Sequence, residues 1–354
     1  MRGFQLKTQK AARKIWFEKN RNIGDNAEKL KMTDDPKNSR TVCARAYEGV
    51  FSAIVPCRDE REALPIFRAE FMRAMESLGG DFEIIFVDDG STDGTLDYLR
   101  ELAESDSRVR YISLSRNFGK EAAMYAGLRE ARGDYVAIMD ADLQDPPSLL
   151  PQMFEKMRDG GFDSVAARRR TRTGESAARS VCARLFYKFL NALSPLKFTE
   201  GARDFRLMKR RVVDAVLEMP EYNRFVKGMY EWVGFKTAWI EYENVGRCAG
   251  RTKWSFLGLA MYSLDALTSF STIPLVLAAG IGIFFCLFSS VAIIALSIRQ
   301  LLYHNSAYGW TSMICVIFFL SGMQLFCLGV LGHYMSKLYL ESKHRPIYIV
   351  REKR

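Results

Sequence analysis

Phe82-Glu83-Ile84-Ile85-Phe86-Val87-Asp88-Asp89-Gly90-Ser91-Thr92-Asp93-Gly94-Thr95 is an apolar run of strand length that stops on two carboxylates and passes through two glycines into a helix-like pattern. Such a run, bounded by polar turn residues, predicts a β-strand. The neighbouring segments repeat the theme. Val50 to Val55 stops at Pro56, Val109 to Leu114 stops near Asn117, and Tyr135 to Met139 stops at Asp140. Helical patterns lie between them, at Glu62 to Ser77, Thr95 to Ala103 and Lys120 to Ala131. Strands alternating with helices specify an α/β fold with a mostly parallel sheet, whose ligands bind at the carboxyl ends of the strands. The polar strand ends are therefore where function is sought.

Two of those ends are acidic. Asp88 and Asp89 can accept hydrogen bonds from a base and a ribose while Gly90 and Gly94 turn the backbone sharply. The other is Asp140-Ala141-Asp142-Leu143-Gln144-Asp145-Pro146-Pro147. Carboxylates at i and i+2 after a strand converge on one hard cation, and Mg²⁺ or Mn²⁺ favours such oxygen ligands while also contacting a diphosphate. No P-loop pattern, no G-x-G-x-x-G after the first strand and no G-x-S-x-G elbow occurs. Phosphoryl transfer on a P-loop, a dinucleotide cofactor and serine hydrolysis are thereby unsupported.

The net charge of +10 fits phosphate-bearing ligands, an anionic membrane surface or nucleic acid. The aromatic interleaving of a single-strand binder is missing from the basic segments, so no nucleic-acid partner is expected. Seven cysteines without a C-x-x-C pair suggest neither a disulfide framework nor a zinc site. The three histidines, His304, His333 and His344, all fall near the end of the chain, so any base in the larger part is a carboxylate.

Residues 1–49 form a basic extension without the continuous apolar core of a secretory signal. Ile273 to Ile298 and Trp310 to Met335 are uncharged stretches longer than the roughly 20 residues that cross a bilayer core. The loop between them carries one arginine and the tail from Lys337 to Arg354 carries six Lys or Arg, which places the tail and the large domain in the cytoplasm. Trp254 to Phe270 reads as an amphipathic helix along the interface. The expected organisation is a basic extension at 1–49, an α/β domain at 50–250, an amphipathic helix at 251–271, a membrane hairpin at 272–336 and a basic tail at 337–354.

Pro56-Cys57-Arg58-Asp59-Glu60, the Asp88 to Thr95 turn, Ser115-Arg116-Asn117-Phe118-Gly119-Lys120-Glu121-Ala122-Ala123 and the Asp140 to Pro147 turn together resemble the family 2 inverting glycosyltransferases, which have a GT-A type fold. More narrowly they are similar to the polyprenyl-phosphate branch that includes dolichyl-phosphate mannose synthase. Gly201 to Met208, Arg247 to Trp254 and the terminal helix pair extend the likeness to bactoprenol glucosyltransferases. The resemblance covers the chain from about Val50 onward.

The resemblance implies that Pro56, Glu60, Asp88, Asp89, Asp140 and Ala141 hold the nucleotide sugar. Asp140, Asp142 and Gln144 would hold the divalent cation, with Asp142 central to catalysis. Asp204 takes the place of a candidate base or orients arginines. Arg168 and Arg179 would contact the lipid phosphate, with Arg206, Arg224, Arg247, Arg251 and Lys253 supplying charge near the membrane; Ala183 departs from the serine of some relatives. Implied partners are UDP-glucose, or a mannose or modified-arabinose donor, undecaprenyl phosphate, a homotetramer formed through the hairpin and a flippase. The implied place is a bacterial inner membrane. A processive polysaccharide synthase would need a Q-x-x-R-W segment and more membrane helices.

Overall fold

The computed structural model describes residues 47–169, 191, 199, 201–243, 265, 267–303 and 309–354. The predicted strands form as β1 (Val50–Cys57), β2 (Asp81–Asp88), β3 (Val109–Leu114) and β4 (Tyr135–Ile138). The predicted helices between them are α1 (Leu64–Leu78), α2 (Thr95–Ser105) and α3 (Lys120–Glu130). After the second acidic turn come a 3₁₀ turn at Pro147–Leu149, α4 (Leu150–Asp159), β5 (Ser164–Arg169), β6 (Ala202–Lys209), α5 (Arg210–Leu217), α6 (Val226–Trp232) and β7 (Thr237–Tyr242). Two long helices follow, α7 (Ile273–Tyr303) and α8 (Trp310–Ser342), then a short strand β8 (Val350–Lys353).

All eight strands belong to one sheet, in the order β7-β5-β6-β4-β1-β2-β3-β8. β1 pairs in parallel with both β2 and β4, so the strand order reverses there, and the carboxyl ends of β1, β2 and β4 face one crevice. β6 runs antiparallel to β4 and β5, which brings its first residues to the same end of the sheet. Each face is covered. Phe51, Ala53 and Val55 pack with α1, α2 and α4, while Ile54, Ile85 and Val87 pack with α3, α5 and α6. Burial on both faces explains why these strands read as unbroken apolar runs.

Two features fall outside the expected organisation. Tyr47, placed by sequence in the extension, is buried, stacks on Phe154 at a centroid distance of 4.5 Å and donates to the Asp81 carbonyl at 3.0 Å. The tail is a strand as well as a basic segment: β8 pairs antiparallel with β3, whose edge would otherwise stand open as a template for another chain. Arg100 grips Glu352 through two hydrogen bonds of 2.7 and 2.8 Å, and Lys353 pairs with Glu130 at 2.7 Å.

Ile273–Ala292 in α7 and Val316–Ser342 in α8 are long and apolar enough to cross a membrane. Their side chains point outward: Phe284, Phe288, Phe318 and Leu325 are each over 60% exposed. The core helix of a water-soluble protein would bury such residues. α8 continues past Met335 to Ser342, and its last turns dock on the α/β domain, with Lys337 on Asn223 at 3.0 Å and also on Asp265, and Glu341 accepting from the Tyr222 amide at 3.0 Å. Of the predicted amphipathic helix, Asp265 and 267–270 are helical and the rest lies outside the described residues.

Gly127 shows how closely α3 approaches the sheet. A Cβ there would lie 2.3 Å from Ile54 Cγ2 and 3.2 Å from Val87 Cγ2. Overpacking of this kind costs about 1–3 kcal/mol. Gly127→Ala is expected to lower the thermal unfolding midpoint of the detergent-solubilised protein, and an unchanged midpoint would mean that the α3–β1 contact is looser than described.

Candidate active site

The first acidic strand end is buried and internally bonded. Asp88 accepts from Ser113 Oγ at 2.9 Å and from the Ser91 amide at 3.1 Å, which ties β2 to β3 and closes the turn. Asp89 accepts from the amides of Phe118 and Gly119 at 2.7 and 3.0 Å, and burial raises its carboxyl against those bonds. Asp93, one residue ahead of the Gly94 N-cap of α2, accepts from the Thr95 amide at 3.0 Å. Gly90 has φ +67°, and a Cβ there would stand 2.7 Å from the backbone of Arg116 and Asn117, so the two loops can only meet at a glycine. Pro56 is buried at the end of β1, and the Glu60 amide donates to Thr95 Oγ1 at 3.0 Å. These residues build the floor of the crevice.

The second turn lies beside it. Ala141 is buried, and Leu143 takes φ +57°, a left-handed conformation that costs a branched side chain energy and recurs at functional sites. The Gln144 amide donates to Asp142 Oδ1 at 3.0 Å and sets that carboxylate's orientation. Gln144 Oε1 accepts from Arg169 at 2.9 Å and Arg203 at 3.3 Å, so the structure turns this oxygen onto guanidinium groups. Asp145, fully buried, is held by Arg203 Nε at 3.0 and 3.1 Å and by the Tyr242 hydroxyl.

Lys120 joins the halves of the site. Its ammonium lies 2.6 Å from Asp140 Oδ1 and also bonds Asp204 on β6. Burial opposes its charge, but the two carboxylates outweigh it and raise the ammonium well above the ordinary lysine range. Burial would likewise raise Asp204, yet Lys120 and Lys227 hold that carboxyl far below its usual range. A carboxylate so stabilised is a weak base and a strong anchor for cations.

The other predicted phosphate ligands are distributed differently. Arg206 is 3% exposed, with its guanidinium 4.3 Å from the Tyr230 ring centre and 3.7 Å from Glu231. Arg224 lies 4.1 Å from the Tyr125 ring centre and donates to the Met219 carbonyl. Arg168 is half-exposed beside Glu241 at 3.9 Å, whereas its neighbour Arg169 reaches the acidic turn. Arg179, Arg247, Arg251 and Lys253 lie outside the described residues.

Lys120, Asp145, Arg169, Arg203 and Lys227 are the residues missing from the sequence-based site. Lys120 carried a signal: a cation at the first position of a helix opposes the helix dipole and needs a carboxylate partner. Asp140 and Asp142 are hard oxygen donors at one strand end, of the type a divalent cation favours, and Asp140 is paired with the Lys120 ammonium in this structure. Gln144 fits that role less well, since its oxygen faces two guanidinium groups.

Residues 52–217 match the family described as Glycosyl transferase family 2. CsbB of Bacillus subtilis strain 168, to which a glycosyltransferase role is ascribed, is 41% identical over 305 residues, or 86% of this chain and 92% of that one. The chain belongs to glycosyltransferase family 2. The bactoprenol glucosyl transferase of Shigella phage SfV is 40% identical over 303 residues, covering 86% of this glycosyltransferase and 98% of its relative. Among solved structures, the mannosyltransferase PcManGT of Pyrobaculum calidifontis in complex with GDP-Man and Mn²⁺ aligns with 92% of this chain and 97% of that chain, at 16% identity and a TM-score of 0.42. The sheet and its crevice are of the GT-A type.

Glu121 follows Lys120 and is drawn into the same field. Burial and the Asp204 charge raise its carboxyl to about 7, while its Oε2 accepts from the Val226 amide at 3.1 Å. The folded state therefore binds a proton that the unfolded chain has lost above about pH 4.3, and stability falls as pH rises through the folded value. Glu121→Gln keeps an acceptor for Val226 and removes the titration. Its midpoint is expected to gain on the parent's between about pH 5 and about pH 8; an equal offset at both would contradict the assignment.

Proposed function

We propose that this glycosyltransferase moves glucose from UDP-glucose to undecaprenyl phosphate with inversion, at the cytoplasmic face of a bacterial plasma membrane that α7 and α8 cross. What supports the reading most is the likeness, at 40% identity over 98% of the relative's length, to a protein named bactoprenol glucosyl transferase, in a chain whose α/β domain is docked on the end of an exposed apolar hairpin.

The chemistry follows from charge. The nucleotide sugar lies over the carboxyl ends of β1, β2 and β4, with its base and ribose toward Glu60, Asp88 and Asp89 and its diphosphate toward the Asp140–Gln144 turn. Asp140 and Asp142 would hold a divalent cation, Mg²⁺ or Mn²⁺, which supplies Lewis-acid stabilisation of the departing diphosphate. Lys120 and Arg203 add fixed positive charge beside the same turn. A phosphate oxygen of the acceptor attacks the anomeric carbon, the bond from that carbon to the diphosphate oxygen breaks, and UDP leaves with the electron pair. The acceptor is a phosphate monoester with a second pKa of about 6, so it arrives ionised and needs no proton removed. Asp204 accordingly orients Lys120 and Lys227 in preference to acting as a base. One displacement inverts the anomeric centre.

Donors carrying mannose or a modified arabinose belong to the same chemistry. Membranes containing the protein are incubated with labelled UDP-glucose or labelled GDP-mannose, and chloroform-soluble label is counted. Label from UDP-glucose alone is expected, and label from GDP-mannose alone would remove glucose from the reading. Asp142→Ala is expected to abolish transfer without changing the thermal midpoint; unaltered turnover would refute the cation assignment.

A further inference from the structure

Three carboxylate oxygens surround the Lys120 ammonium, which has three N–H donors to offer. It lies 2.6 Å from Asp140 Oδ1 and 2.9 Å from Asp140 Oδ2, and it also bonds Asp204. Asp140 is one of the two carboxylates that would hold the divalent cation, and an ion on the same oxygens would stand close to a like charge. We infer that Lys120 is a resident counter-cation that a divalent ion must displace from Asp140, so that the ion binds well only together with a diphosphate that receives the displaced ammonium. This coupling rests on the proposed function and governs how cation and nucleotide enter its site.

The neighbouring carboxylates are already matched. Asp145 is held by Arg203 Nε at 3.0 and 3.1 Å, and Asp204 has Lys227 at 3.6 Å in addition to Lys120. Arg203 Nη2 stands 4.0 Å from Asp140 Oδ2 and donates to Gln144 Oε1 at 3.3 Å, and Arg169 reaches the same Gln144 oxygen at 2.9 Å. A divalent ion arriving alone therefore meets positive groups on every carboxylate but Asp142 for which a partner has been described. Among the described residues no three His, Cys, Asp or Glu side chains gather as a metal-holding group. Mg²⁺ takes about six oxygens, so Asp140 and Asp142 leave most of the shell to water and to a diphosphate.

Lys120 is placed to give way. It is the first residue of α3, where the helix dipole disfavours a positive charge, so the ion pairs and not the helix keep the ammonium on Asp140. Its side chain is 40% exposed, and the four-carbon stem of a lysine lets the charge swing without unpacking the sheet. Asp204 on β6 remains its partner while the Asp140 contacts break. The ammonium then turns onto a diphosphate oxygen, and the cluster regains its balance of charge. Cation and nucleotide are thus linked through one side chain, and each raises the other's affinity by the same factor.

The test reads binding and not turnover. Mn²⁺ is titrated into the full-length protein in nanodiscs of zwitterionic lipid, alone or with saturating UDP, and the unbound ion is measured by electron paramagnetic resonance. Asp142→Ala serves as the blank for ion bound elsewhere. Lys120→Met and Lys120→Gln are expected to bind Mn²⁺ alone about tenfold more tightly than the parent, and to lose a similar factor of the tightening that UDP brings. Lys120→Arg keeps the charge and is expected to stay near the parent. A lysine that merely braced the turn would loosen cation binding when removed. Mn²⁺ affinity that is unaltered or weaker in the Met and Gln variants without UDP would therefore overturn the inference. So would a parent whose Mn²⁺ affinity ignores UDP, a comparison that needs no substitution. Uptake no greater than the blank's, even with UDP, would refute the cation assignment and the coupling together. Failure of the proposed function would show separately, as a parent that couples Mn²⁺ and UDP through Lys120 but labels no lipid.

Discussion

The site depends on one shared ammonium. Lys120 begins α3, where the helix dipole works against a positive charge, and is held there by Asp140 from the end of β4 and Asp204 from the start of β6. The two strands are antiparallel neighbours, so their carboxylates reach the crevice from opposite chain directions. Remove the ammonium and two half-buried carboxylates keep only the more distant Lys227 and Arg203 as counter-charges. Keep it, and the second acidic turn and the start of β6 are joined at a fixed spacing.

Around that link the charges are arranged in pairs of unequal commitment. Arg203 with Asp145 and Arg206 with Glu231 are tied into the sheet and its covering helix, and they shape potential more than they meet ligands. Lys120 and Lys227 share Asp204, and as lysines they can redirect their donors when an anion arrives. The hairpin enters the same network through Lys337, Asn223 and the segment leading to Lys227. The end of α8, a helix long and apolar enough to cross a membrane, is therefore moored on the segment that leads to Lys227.

Much of this was legible in the sequence because it rests on local pattern. β1 to β4, the helices between them and the two long apolar helices follow from unbroken apolar runs and their polar stops; the strands appear within a few residues of the expected bounds, while α7 and α8 start as expected and run on to Tyr303 and Ser342. Pairings made over long separations were not legible. β8 lies over two hundred positions from β3 in the chain, and only the open edge of β3 explains why Val350–Lys353 settles there. In the site, the acidic turns were visible but not their satisfaction. Asp88 and Asp89 bond their own loops, and Gln144 turns to Arg169 and Arg203, because burial demands partners for polar groups that a sequence shows as free. Arg168 and Arg169 illustrate the same limit: adjacent strand residues point to opposite faces, and only the register decides which one meets the crevice.

The most direct test is the rate of sugar transfer by Lys120→Met in a single turnover with both substrates saturating. Loss of a preorganised positive group at the point where charge develops predicts a fall of about 10²-fold or more, with partial recovery in Lys120→Arg. A Met variant that transfers sugar at the parent's rate would contradict the account, because the crevice would then work without the link that joins its halves.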